Sequence, residues 1–540
     1  MDFQRIFLFL IFSFSAILLW DGWQRYQHPV PVAQTAVSPA ASAGVETPKP
    51  AATLATHSEN VAGQVSAQGK KIIVRTDSLL VEINTIGGDI QHVELLQHHD
   101  AEDKTKPLVL LQKHEKHLYV AQTGLIGEGL PSHHDQFISD ADEYNLAQGA
   151  DTLSVRLTAK NVTKVLTFHR GKYLIDVGYE IVNTGASPIS PSAYFQLVRD
   201  DSVPAGDSKL VPTYTGPAIY TDLEKFQKVD FSSIENNKTS YPKMADNGWV
   251  AMLQHYFVAA WLPADKLARE YYTKSLGNQQ YSVGAILSLN TIAPNQKGNI
   301  TVPLYVGPAS AKLNDIAPGL GLTVDYGWLT IIATPLFWML TFIQGWVQNW
   351  GLAIIILTVL IKLVFFPLSA ASYRSMGKMR VVAPKLEKIK QQYSDDREKL
   401  NRAMMDLYKT EKINPLGGCL PVLIQIPVFI SLYWAILSSV ELRHAPFVGW
   451  ISDLSAADPY FILPAIMGLS MLLQSKLNPV PPDPLQAKLM QLMPIVFSVV
   501  FFFFPAGLVL YSVVNNVLSI AQQWYITRGL ENEQKGVAKA

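Results

Sequence analysis

Five predominantly apolar stretches of this chain carry no charged residue, and their lengths limit what it can fold into. They cover residues 6–20, 326–361, 413–440, 459–475 and 489–527, or 15, 36, 28, 17 and 39 residues. A helix needs about 20 mostly apolar residues to cross the hydrocarbon core of a membrane. Soluble domains do not accumulate such runs, so the chain reads as an integral membrane protein. Charged residues are 16% of its 540 residues, below the roughly 25% of an ordinary soluble protein.

Length and internal breaks resolve the runs into six spans. Ile6 to Trp20 reads as an uncleaved anchor within 1–26, because Asp21-Gly22-Trp23-Gln24 follows it with no small-x-small cleavage site. The run 326–361 would measure about 54 Å as one helix, too long for one crossing. Its first part sets Trp328, Trp338, Trp346 and Trp350 among Gln344, Gln348 and Asn349. That mixture predicts an interfacial amphipathic helix in a connector over 312–350. A span follows over 351–373, interrupted only by Lys362, and further spans are expected over 419–440 and 459–477. Phe504-Pro505-Ala506-Gly507 divides the last run into two short spans within 489–527, since proline cannot continue the helical ladder and glycine tolerates a tight turn.

Loop charge sets the orientation. Residues 374–416 hold 11 Lys/Arg against six acids, which makes this loop cytoplasmic by the positive-inside rule. Both termini and the loop 478–488 then fall inside, with the tail at 528–540. Residues 24–325 and 441–458 fall outside. Within the basic loop, 374–418, two helix-forming stretches predict a hairpin. Pro384 is expected to break or restart the first, and Ser394-Asp395-Asp396 supplies the turn. Lys385, Lys388, Met404, Met405 and Tyr408 are candidates for a docking surface, since methionine suits adaptable binding. A solvated hairpin is the plain alternative.

The large outer segment begins with a linker over 27–69 rich in Ala, Pro, Ser and Thr. From 70 to 311 the hydrophobic period becomes two, as in Leu153-Ser154-Val155-Arg156-Leu157, which predicts an all-β sandwich. An open face of it could take an extended peptide or a sugar. The expected fold class is thus a six-span α-helical membrane bundle, five spans forming its core, with a periplasmic all-β sandwich domain. Equal numbers of basic and acidic residues, 44 of each, argue against a general nucleic-acid binder. A single cysteine, Cys419, excludes an intrachain disulfide. His98, His99, His114, His117, His133 and His134 lack ligand spacing, so surface histidines are expected rather than a metal site. No nucleotide loop, no catalytic triad and no cofactor motif is present.

Lys362 is the informative residue. It lies at the middle of 351–373, about 16 Å from either end of a straight helix. A lysine there costs about 2.5–3.5 kcal/mol on insertion scales, against about −0.3 to −0.6 kcal/mol for each Ile, Leu, Val or Phe. The 13 such residues in the same stretch carry the span, but the charge needs water, a partner or neutralisation. No Asp or Glu lies in another span. Neutral polar residues do: Thr358, Gln425, Ser431, Gln474, and Tyr511, Ser512, Asn515, Asn516 and Gln522. The simplest arrangement is a bundle around a hydrated polar cavity, with ordinary interhelical hydrogen bonding as its alternative.

Several motifs in one order resemble a known family. They are Gly351 through Lys362 with Phe366-Pro367-Leu368, Tyr408-Lys409 through Asn414-Pro415-Leu416-Gly417-Gly418-Cys419, Gln425-Ile426-Pro427, Phe504 through Tyr511, and Met1-Asp2-Phe3-Gln4-Arg5. Together they resemble the YidC membrane-protein insertases, in the Gram-negative form with a large periplasmic domain. The resemblance implies a non-enzymatic insertase and chaperone of the bacterial inner membrane. Its groove opens to the cytoplasm and to lipid and is closed on the periplasmic side. Lys362 stands where the family usually has arginine, and Ser512 where a second tyrosine often follows Tyr511. Lysine, unlike arginine, can lose its proton when buried. By the same resemblance Ile426 and Phe429 contact substrate, within a groove formed with Lys362, Thr358, Gln425, Tyr511, Ser512 and Asn515. The implied partners are nascent inner-membrane proteins, the ribosome, the phospholipid bilayer and the Sec translocon with its accessory subunits. A small-molecule or ion transporter and a membrane-tethered envelope scaffold are the rival readings.

Overall fold

The computed structural model describes residues 69–537, except 101–102, 115–116, 205–212, 325, 327–328, 394–395, 412–419 and 478–483. The expected anchor at 1–26, the linker up to residue 68 and the stretch Asn414 to Cys419 lie outside the described residues.

Alternation builds the β domain. Leu79, Val81 and Ile83 are buried while Leu80, Glu82 and Asn84 between them are half-exposed, as the period of two requires. Among the described residues, the strands form a 10-stranded and a 9-stranded sheet. Ser192–Asp200 sits inside the first, antiparallel to both Gln280–Ser288 and His117–Ile126. Leu174–Val182 pairs with Lys297–Pro308 in the second. Side chains of both sheets share one apolar core, including Ile72, Val93, Phe195, Leu166, Val177 and Trp261. Tyr119 of the first sheet donates to the Met252 carbonyl of the second at 3.1 Å.

The hairpin Trp249–Gln254 and Phe257–Trp261 is buried on both faces, because the connector covers its outer side. Leu313, Leu320, Val324 and Tyr326 pack there against Trp249, Ala251 and Val258, and the same cluster includes Ala333 and Ala435 of the helical region. The Trp249 indole donates to the Pro318 carbonyl at 3.0 Å.

After a short helix α1 (Phe231–Glu235) in the β domain, the helical region comprises α2 (Thr330–Val347), α3 (Trp350–Val364), α4 (Phe366–Gln392), α5 (Arg397–Thr410), α6 (Leu420–Ser438), α7 (Ile462–Leu477), α8 (Pro484–Val500) and α9 (Ala506–Val537). Gln348 ends α2 in the left-handed conformation. Asn349 caps α3, its side chain accepting from Leu352 N at 3.0 Å and donating to Phe447 O at 3.1 Å. The 3-10 turn Phe501–Phe503 separates α8 from α9 just before Pro505.

Three features differ from expectation. A single helix over 351–373 is instead two, with α3 and the first part of α4 bent by 67°. Pro367 in the first turn of α4 has no N–H to continue the ladder of α3. Pro384 breaks nothing, since α4 runs through it to Gln392. Finally, among the described residues α2 is the one helix long and apolar enough to cross a membrane alone, and the bent pair makes a second. The apolar parts of α6, α7 and α8 are shorter.

The helical region is apolar outside as well as inside. Leu363, Val364, Leu469, Leu473, Leu492, Ile495 and Val517 are all exposed, far more apolar surface than a water-soluble domain presents.

The β domain buries a polar group between its sheets. Lys164 donates to Gly87 O at 3.0 Å, and Asp89 accepts from Gln122 at 2.8 Å. Burial pushes the Asp89 carboxyl up and the Lys164 ammonium down, opposed in each case by the other's charge. A carboxyl that holds its proton to higher pH when folded takes up a proton on folding, so its contribution falls as pH rises above the ordinary carboxylate range. Asp89→Asn is therefore expected to flatten the decline of stability with pH over that interval, as measured by thermal unfolding of the full chain at a series of pH values. Lys164→Met removes the hydrogen bond to Gly87 O and the charge that opposes protonation of Asp89; it is expected to push the Asp89 carboxyl further up and to destabilise the domain by about 1–3 kcal/mol.

Candidate functional site

The site forms where α3, α6 and α9 face one another. Lys362 is half-buried, two residues before α3 ends. Its Nζ donates to Ser519 Oγ of α9 at 2.7 Å and to Gln425 Oε1 of α6 at 3.5 Å. The Gln425 amide donates to the Tyr511 hydroxyl at 3.1 Å and to Asn515 Oδ1. Ser519 in turn donates to the Asn515 carbonyl at 2.7 Å, which leaves its oxygen lone pairs free to accept from the ammonium. Among the described residues Lys362 has no carboxylate partner. A small cleft opens beside it, bounded by Phe365, Leu368, Ser369, Ile424, Gln425 and Val428.

The structure brings together Lys362, Gln425, Tyr511 and Asn515. It places the other candidates around them. Thr358, one turn before Lys362, is 1% exposed and donates to the Ile354 carbonyl at 2.6 Å. Ser512 does the same to Leu508 O at 2.9 Å. Phe429 lies between Phe501 and Tyr511, with ring centroids at 6.2 and 6.3 Å. Ile426, next to Gln425, is 47% exposed on the outer surface of α6.

Sequence reasoning missed Ser519, and the signal was available. Tyr511, Asn515 and Ser519 follow one another at four-residue steps, the spacing of a single helix face. It also missed the contacts that tie α7 to α9, where Asn516 donates to Ser470 Oγ at 3.2 Å.

The end of the bundle remote from Lys362 is packed shut. The backbone N–H groups of Ala506 and Gly507 donate to Ala456 O and Leu454 O at 2.7 and 2.9 Å. Asp458, 1% exposed, accepts from Leu463 N at 2.7 Å and from the Trp450 indole at 3.0 Å. Gly351 approaches the Phe447 ring so closely that a Cβ would overlap it.

The candidate docking residues lie on the α4–α5 hairpin. Lys385 of α4 and Glu411, just beyond α5, meet at 2.6 Å. Lys388 and Met405 are exposed, and Met404 and Tyr408 are half-buried. The Asp396 carboxylate caps α5, accepting from Glu398 N and Lys399 N at 3.1 and 3.0 Å.

Comparison with known proteins covers both regions. Residues 71–339 match the family described as the YidC periplasmic domain, and residues 342–534 match the 60Kd inner membrane protein family. The membrane protein insertase YidC of Nitrosospira multiformis is 54% identical over 565 residues, covering 100% of this chain and 99% of its own. The chain belongs to the YidC family. The member from Aromatoleum aromaticum is likewise 54% identical, over 552 residues and 100% of both chains. Among solved structures, an active YidC insertase with its first transmembrane domain resolved is similar with a TM-score of 0.40 and 17% identity, over 85% of this chain and 95% of that one. As in other YidC family members, a periplasmic β-rich domain precedes a helical inner-membrane region.

Gln425 links Lys362 to α9, so its amide has a structural consequence that can be measured. Gln425→Leu removes the donor to Tyr511 and Asn515 and an acceptor for Lys362. It is expected to destabilise the helical region by about 1–3 kcal/mol, read as a lowered unfolding temperature of the purified chain in detergent, whereas Ile426→Leu on the exposed side is expected to leave that temperature unchanged.

Proposed function

We propose that this chain moves hydrophobic segments of nascent inner-membrane proteins into the bilayer through the cleft at Lys362. The observation that carries the reading is an ammonium held by Ser519 and Gln425, both neutral, at the edge of an open cleft. A lysine kept only for packing would be matched by a carboxylate, because an unmatched charge in an apolar surrounding is costly. Here the matching anion is supplied by the substrate.

In this reading six spans cross the membrane: the N-terminal anchor, α3 with the start of α4, α6, α7, α8 and α9. The α2 helix lies along the outer interface, where Trp338, Phe342 and Trp346 form one exposed aromatic row. Both termini and the α4–α5 hairpin are cytoplasmic, and the sealed end of the bundle faces the periplasm. The bend after α3 supports this placement, since it sets Lys362 near the cytoplasmic opening.

The steps follow from the chemistry. Lys385, Lys388, Met404, Met405 and Tyr408 receive an emerging segment from the ribosome, alone or beside the Sec translocon. The short polar tail of the substrate enters the cleft, where water and Gln425, Tyr511 and Asn515 replace its hydration. Lys362 attracts acidic groups in the tail. The apolar segment slides past Ile426 and Phe429 into lipid, and burial of about 0.8 kcal/mol per CH₂ drives the transfer.

Two substitutions test the electrostatic step in a vesicle insertion assay. Lys362→Glu is expected to slow insertion of substrates with acidic tails by about tenfold, or ~1.4 kcal/mol, and to affect neutral tails less. Gln425→Glu places a carboxylate beside the ammonium and is expected to act in the same direction. Equal rates for acidic and neutral tails in both variants contradict the reading.

A further inference from the structure

The lining of the cleft beside Lys362 holds three polar residues, Lys362, Gln425 and Ser369, and they differ in the donors they have left. Gln425 commits its amide to Tyr511 and Asn515, and its carbonyl accepts from Lys362. The two N–H groups of that amide are therefore both taken. An ammonium has three N–H donors. Lys362 directs two of them to Ser519 and Gln425, and the third remains. The Ser369 hydroxyl has no hydrogen-bond partner among the described residues, although Ser369 is only 6% exposed.

That hydroxyl departs from the habit of its neighbours. A serine or threonine inside an apolar helix commonly donates to the carbonyl four residues back, as Thr358, Ser512 and Ser519 do. The carbonyl four residues before Ser369 is that of Phe365. It accepts the backbone N–H of Ser369 at 3.0 Å, and not the hydroxyl. The 67° bend separates Lys362, in the last turn of α3, from Ser369, in the first turns of α4. The ends of two helices thus bring an uncommitted N–H and an uncommitted O–H to one cleft.

Two uncommitted donors suit an acceptor with two oxygens. A carboxylate that leaves water loses the hydration of both oxygens, and burial of either without a donor is costly. We propose that Ser369 is a specificity-determining residue for insertion, its hydroxyl donating to one oxygen of a carboxylate in the substrate tail while Lys362 donates to the other. This inference rests on the function proposed above. Both bonds are made to a charged acceptor and are stronger for it. An asparagine at the same place in the tail presents one oxygen and brings no charge to the ammonium, so the pair of donors favours the acid over its amide. The competing role for Ser369 is packing alone, as a small residue that lets α4 turn beside α6.

Insertion by the full chain in reconstituted vesicles tests the proposal, with one substrate in two forms that differ by Asp or Asn at a single tail position. The readout is the ratio of the two insertion rates. Ser369→Ala is expected to lower the Asp-to-Asn ratio by about tenfold, the effect of losing one hydrogen bond to a charged group. Ser369→Thr keeps the hydroxyl and is expected to restore the ratio. An unchanged ratio in Ser369→Ala overturns the inference, as does equal slowing of both forms, which is the mark of a packing role. Failure of Ser369→Thr to restore the ratio also overturns it. Lys362→Glu separates this inference from the function it rests on. If Lys362→Glu lowers the ratio and Ser369→Ala does not, only the role of Ser369 is lost. If Lys362→Glu leaves the ratio unchanged, both are lost.

Discussion

A single ammonium group sets the terms for the helical region. An apolar bundle can hold Lys362 only if other groups replace the water it loses. Ser519, Gln425 and, through Gln425, Tyr511 and Asn515 do so without neutralising it. Hydrogen bonding satisfies the directional needs of the ammonium and leaves its charge unmatched. The result is an ammonium without a carboxylate partner among the described residues, beside a cleft; under the proposed function it attracts acidic groups of the substrate.

The remainder of the helical region keeps that site asymmetric. Pro367 ends α3 just past Lys362 and turns the chain by 67°, so the lysine lies beside an opening. At the other end Leu454 and Ala456 hold the start of α9 through backbone hydrogen bonds, and Asp458 fixes the start of α7. Small residues allow the close packing required there. Gly351 meets a phenyl ring, and a Cβ at Gly468 would lie 2.6 Å from Ser498 Oγ. The β domain is anchored to this sealed end through the connector and through His255, which ties it to the end of α6.

Much of this architecture was legible in the sequence, because burial and charge leave periodic marks. Charge-free runs located the apolar helices, a period of two marked the sheets, and Phe504 to Gly507 marked the break before α9. Lys362 stood out as a charge where none belonged. What escaped depended on context. Pro367 and Pro384 look alike in sequence, yet one ends a helix and the other sits inside one. The difference lies in the stretches around them: Pro367 falls in the first turn of its helix, where a missing N–H is tolerated, while Lys385, Leu386 and Glu387 after Pro384 are strong helix formers. Ser519 was overlooked because serine in an apolar helix commonly bonds to its own backbone, as Ser512 does. Ser519 does this too, and only the three-dimensional arrangement shows that its oxygen also receives Lys362.

In the proposed orientation, insertion requires water to reach the cleft beside Lys362 from the cytoplasmic side. The direct measurement is labelling of a single thiol introduced by Gln425→Cys, in a chain whose Cys419 is replaced by Ser, with a charged, membrane-impermeant thiosulfonate. Labelling in inverted inner-membrane vesicles, and its absence when the same reagent reaches only the periplasmic face, is the predicted result. A thiol that stays unreactive from both sides in folded protein, yet reacts once the chain is denatured, would mean that the lysine sits in a dry interior and would contradict the account.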